Sequence, residues 1–326
     1  MLSAYRLTEK GPEPAIPEGE DGVAASAIWV DALQPSAAEE KAVEGFLGAE
    51  LPTREETQEI EFSSRFYVED GAVYMTASLL TGIDVGKPAL APLTIVVAGE
   101  RLVTLRYDDL RALRQFLARA GKPGSGCLTT PAIFLGLIEA IVDRTADVLE
   151  RISADVDRIN QEVFAEQTSR PRHGGRGLET VIGAIGRQGD LAAKCRESLA
   201  SLERLAQFAS LALPPAFGKG ANKNRLKLAQ RDIRSLEDHV DFLSNKITFL
   251  LDATLGLISV GQNEVIRVLT VAATIFFPPT LIGTIYGMNF VDMPELGWIL
   301  GYPFALLLMA LSAILPYLYF KRRGWL

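Results

Sequence analysis

The stretch Tyr286-Gly287-Met288-Asn289-Phe290 lies where one uncharged segment ends and a short loop begins. Residues 268–288 carry no charged side chain, and neither do residues 298–320, which follow the loop. These runs have 21 and 23 residues. At 1.5 Å per residue each reaches roughly 30–35 Å, enough to cross a bilayer core of about 30 Å. The pattern predicts two membrane-spanning helices, with Gly287, Met288 and Asn289 at the mouth of the first.

The charges that flank the two runs predict their orientation. Arg267 precedes the first run and Lys321-Arg322-Arg323 follows the second, whereas the loop at 290–297 holds only the acidic Asp292 and Glu295. Because short cytoplasmic segments are rich in Lys and Arg, both termini are expected in the cytoplasm and the loop outside. Asp292 and Glu295 would then attract cations to the outer face.

The composition argues against several functional classes. The 326-residue chain has a net charge of −7, whereas nucleic-acid binding needs a basic surface, so no nucleic-acid partner is expected. The glycine-rich stretch 121–126 lacks the Gly-Lys-Ser/Thr ending of a phosphate loop. Only two histidines are present, His173 and His239, and neither is beside a plausible nucleophile. The chain is therefore not expected to be an enzyme.

The segment before the membrane runs is predicted to be soluble. Residues 1–120 are typical of a cytoplasmic α/β domain. Within it, Ser36 and Glu39 have the spacing of a helix-capping box. Two β-hairpins are predicted, because alternating apolar runs flank Glu69-Asp70-Gly71 and Ala98-Gly99-Glu100. A helical hairpin is predicted over residues 131–213.

A third long helix is predicted over residues 222–264, and it carries a heptad repeat. Two series of residues interleave as a and d positions over five heptads: Leu226, Ile233, Val240, Ile247 and Thr254, with Ala229, Leu236, Leu243, Leu250 and Leu257. Such a seam needs partner helices from its own chain, from neighbouring copies or from both. No turn signal precedes Pro278, so this stalk helix is expected to continue into the first membrane segment at 265–289. The second segment is placed at 298–320 and a basic tail at 321–326.

The first membrane segment carries small, hydroxyl and apolar residues on one face. They are Asn263, Ile266, Thr270, Ala273, Phe277, Thr280, Thr284 and Gly287. Small and hydroxyl residues allow helices to approach closely in lipid, so helix packing is one interpretation of this face. Pore lining is the other. Two membrane helices cannot enclose an aqueous path, so a pore would need several chains around an axis. Oxygen atoms at its mouth would then form a ring that selects cations.

Several motifs together resemble the CorA family of magnesium and cobalt transport proteins. They are Tyr286 to Phe290, Met293-Pro294-Glu295-Leu296, Gly301-Tyr302-Pro303 and the ending Lys321-Arg322-Arg323-Gly324-Trp325-Leu326. Met1-Leu2-Ser3-Ala4, Ala27 to Asp31 and Arg231-Asp232-Ile233 are similar to the enterobacterial-type branch of that family. The likeness covers the whole chain.

The resemblance implies an α+β cytoplasmic domain, a long helical stalk and two transmembrane helices in a funnel-shaped homopentamer. It implies that Gly287, Met288 and Asn289 form the selectivity filter. Pore and gate positions by similarity are Asn263, Ile266, Leu269, Phe277 and Thr280. It also implies gating by cytoplasmic Mg²⁺ held by carboxylates, for which Asp232 and Asp238 on the stalk are candidates. A solvated acidic face is the alternative interpretation of these two residues.

The expected function is passive uptake of Mg²⁺, with Co²⁺ and Ni²⁺ as further candidate substrates, across the bacterial inner membrane. The membrane potential would drive it, and no cofactor is expected beyond Mg²⁺ as substrate and regulatory ligand. The expected partners are other copies of the chain, membrane lipid and divalent cations. Two alternatives stay open: a zinc transporter of the ZntB branch, and a membrane-anchored scaffold that transports nothing.

Overall fold

A computed structural model describes residues 1–8, 11–15, 22–59, 61–120, 122, 127–165, 176–289 and 293–325. The chain divides into two compact units. The first comprises Met1–His173 and Glu179–Leu250, and the second comprises Gly174–Leu178 and Leu251–Leu326. The first unit contains the sheet and most of the long helices, and the second contains the uncharged segments at 268–288 and 298–320.

A seven-stranded mixed sheet forms the base of the first unit. Its strands are β1 (Leu2–Thr8), β2 (Gly11–Pro14), β3 (Trp29–Leu33), β4 (Phe66–Glu69), β5 (Ala72–Thr81), β6 (Ala89–Ala98) and β7 (Arg101–Arg106). The spatial order is β2-β1-β3-β7-β6-β5-β4, and β3 with β7 is the parallel pair among the described strands. Both predicted hairpins are confirmed, as β4–β5 and β6–β7. At the first turn, Asp70 and Gly71 have φ values of 49° and 78°, as a two-residue hairpin requires.

Eight α-helices occur in the described residues. They are α1 (Ala37–Leu47), α2 (Arg54–Gln58), α3 (Phe62–Arg65), α4 (Arg111–Ala120), α5 (Thr130–Ala165), α6 (Arg176–Ala212), α7 (Gly220–Tyr286) and α8 (Gly301–Arg322). The capping box at the start of α1 is confirmed: Ser36 Oγ accepts from the Glu39 amide, and Glu39 Oε2 accepts from the Ser36 amide at 2.8 Å. These reciprocal bonds satisfy two amide groups that the first turn of a helix leaves without partners.

A buried ion pair holds the parallel junction of the sheet. Arg106 Nη2 on β7 lies 2.8 Å from Asp31 Oδ2 on β3, and the two side chains are 6% and 4% exposed. Thr104 Oγ1 donates to Asp31 Oδ1 at 2.8 Å, and Trp29 Nε1 donates to Thr104 Oγ1 at 3.2 Å. Each charge is thus paired and further hydrogen-bonded. That is the condition under which a buried ion pair is tolerated.

The heptad seam of α7 is buried against helices of the same chain. Ile233, Val240, Leu243 and Leu250 are fully buried. Arg225 on α7 binds Glu139 on α5 through two bonds of 2.7 and 2.8 Å. On the other side, the Ile247 methyl lies 3.7 Å from where a Cβ on Gly189 of α6 would be. Among the three sources left open by the sequence, the chain itself therefore supplies partners for this seam through α5 and α6.

The membrane segments differ in their limits from those predicted. Helix α7 ends at Tyr286, three residues before Asn289, and α8 begins at Gly301, three residues after Trp298. Pro303 gives a physical reason for the later start, because proline has no amide hydrogen to donate and fits in the first turn of a helix, where amide groups have no intrahelical partner. Helix α7 also contains Pro278 and Pro279 without ending there. Both helices are long and apolar enough to cross a membrane.

We predict that Asp31→Ala destabilises the protein by about 3–5 kcal/mol, because it leaves the Arg106 guanidinium buried without its partner. The measurement is chemical unfolding of the purified chain. Asp190→Ala is the control, because Asp190 and Lys194 form an exposed pair one turn apart on α6, and such pairs contribute little. Equal effects of the two substitutions would contradict a structural role for the buried pair.

Candidate functional site

Helix α7 ends at Tyr286, and Gly287, Met288 and Asn289 follow its last turn directly. The Gly287 amide donates to Gly283 O at 3.0 Å, and the Met288 amide donates to Ile285 O at 3.2 Å, so the hydrogen-bond pattern tightens from four residues to three. The final carbonyl groups of a helix have no intrahelical partners and carry a partial negative charge. All three residues of the tripeptide are exposed. This helix end is therefore chemically suited to meet a cation.

Gly287 is placed where a side chain would crowd the backbone. A Cβ at this position would lie 3.1 Å from Gly283 O and 3.6 Å from Thr284 O of the preceding turn. Gly283 differs, because a Cβ there would meet Met309 Sδ at 3.6 Å, an ordinary contact with α8. Gly283 thus lies at the contact between the two membrane helices, and Gly287 lies where α7 ends.

The stripe of residues predicted to face a partner or a pore is uncovered in the protomer. Asn263, Ile266, Thr270, Ala273, Phe277, Thr280, Thr284 and Gly287 are all exposed, as is the predicted gate residue Leu269. Val271, two residues from Ala273 and thus about 200° around the helix, is buried. The stripe is therefore not the surface that packs α7 against α8. Whatever covers it must come from outside the chain: lipid, water or another copy.

Threonine hydroxyl groups on this helix donate to the backbone of the preceding turn. Thr270, Thr280 and Thr284 on the stripe donate to Ile266 O, Phe276 O and Thr280 O at 2.7–2.8 Å, and Thr274 donates to Thr270 O at 2.8 Å. A hydroxyl that has donated its hydrogen keeps lone pairs that can only accept. The waters around a cation point their hydrogens outward. The threonine oxygens are thus matched to a hydrated cation and not to a hydrated anion.

Large apolar side chains interrupt the polar positions of the stripe. Ile266, Leu269 and Phe277 are 61, 70 and 69% exposed. The polar Asn263 and Thr280 on the same helix are unusual for a surface that faces only lipid. Rings of apolar side chains can close a pore by excluding water.

The stalk carboxylates do not form a metal site within one protomer. Asp232 and Asp238 are exposed. Burial, and then the neighbouring Glu203, raise the pKa of Glu237 above its usual value. Among the described residues no group of three or more His, Cys, Asp or Glu side chains is arranged to hold a metal ion. Metal binding at Asp232 and Asp238 would need ligands from another copy.

The predicted loop residues are only partly within the described structure. Asp292 lies outside the described residues. Glu295 lies in a short 3₁₀ helix at Pro294–Gly297, and only its backbone is described. Their role in attracting cations stays a prediction.

A sequence model of the CorA-like Mg²⁺ transporter family matches residues 24–322. The chain belongs to the CorA family. The Magnesium transport protein CorA of Pasteurella multocida is 34% identical over 331 residues, and that of Escherichia coli is 31% identical over 326 residues. Each alignment covers 100% of this chain and 100% of the relative. The expected likeness to enterobacterial CorA proteins is confirmed, and membership identifies the chain as a two-pass membrane protein of a transporter family.

Solved structures support the same fold. The complete structure of the CorA magnesium transporter from Methanocaldococcus jannaschii matches with a TM-score of 0.78 at 16% identity, over 100% of this chain and 99% of that one. The cytoplasmic domain of ZntB from Vibrio parahaemolyticus matches with a TM-score of 0.56 at 11% identity, over 80% and 98%. At such identities the likeness concerns the fold alone, so the ZntB match does not favour zinc as the substrate of this CorA protein.

The sequence predicted the tripeptide, the stripe and five pore or gate positions. Thr270 and Thr284, which their three- and four-residue spacing had already placed on the stripe, are exposed and make the same backbone hydrogen bond as Thr280. The roles of all these residues in a pore stay predictions.

We predict that Thr284→Val lowers Mg²⁺ uptake about fivefold, because the isosteric valine removes an acceptor worth about 1 kcal/mol to the hydration shell of the ion. Thr284→Ser should keep near-normal uptake, since serine retains the oxygen. Thr274→Val is the matched control, because Thr274 makes the same backbone bond but is half-buried beside the stripe. Initial uptake rates into proteoliposomes give the comparison, and equal losses from Thr274→Val and Thr284→Val would count against a lining role.

Proposed function

We propose that this protein is a channel for passive uptake of Mg²⁺ across the bacterial inner membrane, with Co²⁺ and Ni²⁺ as further substrates. The observation that carries the proposal is the uncovered stripe of α7, where acceptor-only oxygens alternate with apolar side chains up to the Gly287-Met288-Asn289 end. Membership of the CorA-like Mg²⁺ transporter family supports the choice of ion.

Several copies are needed to turn the stripe into a pore. In one protomer the residues of the stripe are exposed. Identical chains arranged around an axis would bring equivalent stripes together and give each polar position a ring of oxygen atoms. The family resemblance points to five copies, and the homopentamer is proposed on that ground.

Selection at the entrance uses oxygen ligands without formal charge. The Asn289 amide and the carbonyl groups at the end of α7 would hold the ion through its water shell, because Mg²⁺ gives up its water reluctantly. Thr284 and Thr280 then supply acceptors one turn and two turns further into the pore. The filter therefore holds the ion loosely enough for it to pass on.

The membrane potential supplies the driving force. Moving one charge through 100 mV is worth about 2.3 kcal/mol, so a divalent ion gains about 4.6 kcal/mol on entering a cell with an inside-negative potential. The basic residues at Arg267 and at Lys321 to Arg323 favour a cytoplasmic position for both termini by the positive-inside rule. The outer loop then presents Asp292 and Glu295 to incoming cations.

Cytoplasmic Mg²⁺ would close the pore by linking neighbouring stalks. Asp232 and Asp238 are exposed carboxylates on α7, so both are accessible to a cation and to a neighbouring copy. With Mg²⁺ bound, the copies stay together and Ile266, Leu269 and Phe277 exclude water. When cytoplasmic Mg²⁺ falls, the carboxylates lose their bridging ion, the copies separate and the apolar section fills with water.

We predict that proteoliposomes with an inside-negative potential take up Mg²⁺, and that Asn289→Ala abolishes most of this flux, since it removes the proposed ring of amide oxygens. Collapse of the potential with an ionophore should reduce the wild-type rate. An impermeable wild-type protein would favour the scaffold hypothesis, and Zn²⁺ uptake that Mg²⁺ does not inhibit would favour the ZntB type of transport. Full activity of Asn289→Ala would refute the filter assignment.

We predict that millimolar Mg²⁺ protects the purified protein from limited proteolysis, and that Asp232→Asn and Asp238→Asn each raise the protecting concentration several-fold. Both substitutions remove a carboxylate charge that a bridging Mg²⁺ needs. Asp252→Asn is the control, because Asp252 is an exposed α7 carboxylate two heptads beyond Asp238. The regulatory assignment is wrong if all three variants keep the wild-type Mg²⁺ dependence.

A further inference from the structure

The last turn of α8 is held in a fixed shape by its own end cap. Gly324 has a φ of 70°, and the Trp325 amide donates to Phe320 O at 3.0 Å while the Gly324 amide donates to Lys321 O at 3.3 Å. This pair of bonds is the Schellman arrangement of helix ends. The Trp325 ring stacks on Phe320 at 5.4 Å, which adds the apolar contact that accompanies the motif. The basic residues between them are therefore part of an ordered turn.

Two of these basic side chains lie on aromatic rings. Lys321 Nζ is 5.8 Å from the centre of the Tyr317 ring, and the Arg323 guanidinium carbon is 5.6 Å from that of Tyr319. Within the described part of the chain, none of Lys321, Arg322 and Arg323 forms an ion pair with an acidic side chain. The aromatic rings therefore orient the charges of Lys321 and Arg323, and no described acidic side chain neutralises them.

Arg267 of α7 lies at the same level. Consecutive spans joined by a short loop cross in opposite directions, and Met309 Sδ lies 3.6 Å from where a Cβ on Gly283 would be. Arg267 lies sixteen residues before Gly283, and Trp325 lies sixteen residues after Met309. At equal rise per residue along the two antiparallel segments, Arg267 and Trp325 are therefore expected at the same level. The Arg267 side chain is 42% exposed, although its Nε is buried.

Arg267 has donor capacity left over. Its described partner is Glu264 at 3.4 Å, and its Nε is buried without a hydrogen-bond partner. This end of the two helices therefore carries four cationic side chains, Arg267, Lys321, Arg322 and Arg323, and the carboxylate of Glu264 pairs with Arg267. The adjoining α8 surface is apolar and exposed at Ile314, Leu315 and Leu318. A ligand for this place needs an anionic head and an apolar body.

We propose that Lys321 and Arg323 bind the phosphate of an anionic phospholipid whose acyl chains lie along the exposed apolar side of α8, while Arg267 adds positive charge at the same level. Guanidinium groups match phosphate oxygens with paired donors, and tyrosine and tryptophan favour the depth of lipid headgroups. A free phosphate would use the same cations but gains nothing from the apolar surface. That surface, and the position of the cations at the end of a membrane span, favour the lipid as the source of the anion.

The test is lipid binding by the purified full-length protein in detergent, followed by native mass spectrometry during titration with phosphatidylglycerol or phosphatidylcholine. The wild type should prefer phosphatidylglycerol. Lys321→Gln and Arg323→Gln should each raise its Kd about fivefold, since a basic residue near an anionic surface is worth about 1 kcal/mol. Each variant keeps the three other cations of the cluster, which maintains the charge bias for insertion.

Two matched variants separate an ordered site from general charge. Gly324→Ala keeps every charge but strains the turn, because alanine disfavours a φ of 70°, and it should weaken phosphatidylglycerol binding by a few-fold. Lys227→Gln removes a charge from an exposed position of α7 in the first unit and should leave binding unchanged. Equal binding of the two lipids, an equal loss from Lys227→Gln, an unaltered Kd for Gly324→Ala, or complete displacement by inorganic phosphate would each overturn the proposal. None of these readouts depends on ion transport.

Discussion

The physical constraint behind the candidate site is that a helix cannot satisfy the carbonyl groups of its own last turn. In a soluble protein water meets those oxygens. Where α7 stops at Tyr286, the following Gly287-Met288-Asn289 leaves them at the mouth of an apolar segment. Unpaired oxygens are costly in hydrocarbon, so this end must face water, a cation with its shell, or equivalent ends of other chains. The absence of a side chain at Gly287 keeps the backbone open there.

The stripe behind this helix end applies the same constraint to hydroxyl groups. A threonine inside a membrane must give its hydrogen to some acceptor, and the carbonyl one turn back is the nearest. That local necessity fixes the direction of each hydroxyl hydrogen, so a row of neutral residues presents hydrogen-bond acceptors without any charge of its own. Because α8 packs elsewhere on α7, the row is available for whatever surrounds the protomer.

Local signals in the sequence predicted much of this fold. The capping box at Ser36 and Glu39, the β-hairpins and the heptad seam of α7 depend on residues close together in the chain, so their spacing is enough. The junction of β3 with β7 was not predicted, because its partners are about seventy residues apart and the Asp31–Arg106 pair shows no local pattern. For the site, residue types and spacing predicted the tripeptide and the stripe, and their functional roles stay predictions. The described residues of one chain form no metal site around Asp232 and Asp238, so the proposed regulatory ligands had no pattern in the sequence that could define them.

The adjacent prolines within α7 bear on how such a helix can change shape. Pro278 and Pro279 have no amide hydrogen, so the carbonyl groups of Thr274 and Ile275 lack the usual partners four residues ahead. Because two successive backbone hydrogen bonds are missing, bending at this level costs less than at any other place in the apolar span. Leu269 lies on one side of this weak point and Thr280 on the other. The first membrane span can therefore bend at this pair of prolines. Side chains that precede Pro278 would then move relative to those that follow Pro279, while the backbone on either side stays helical.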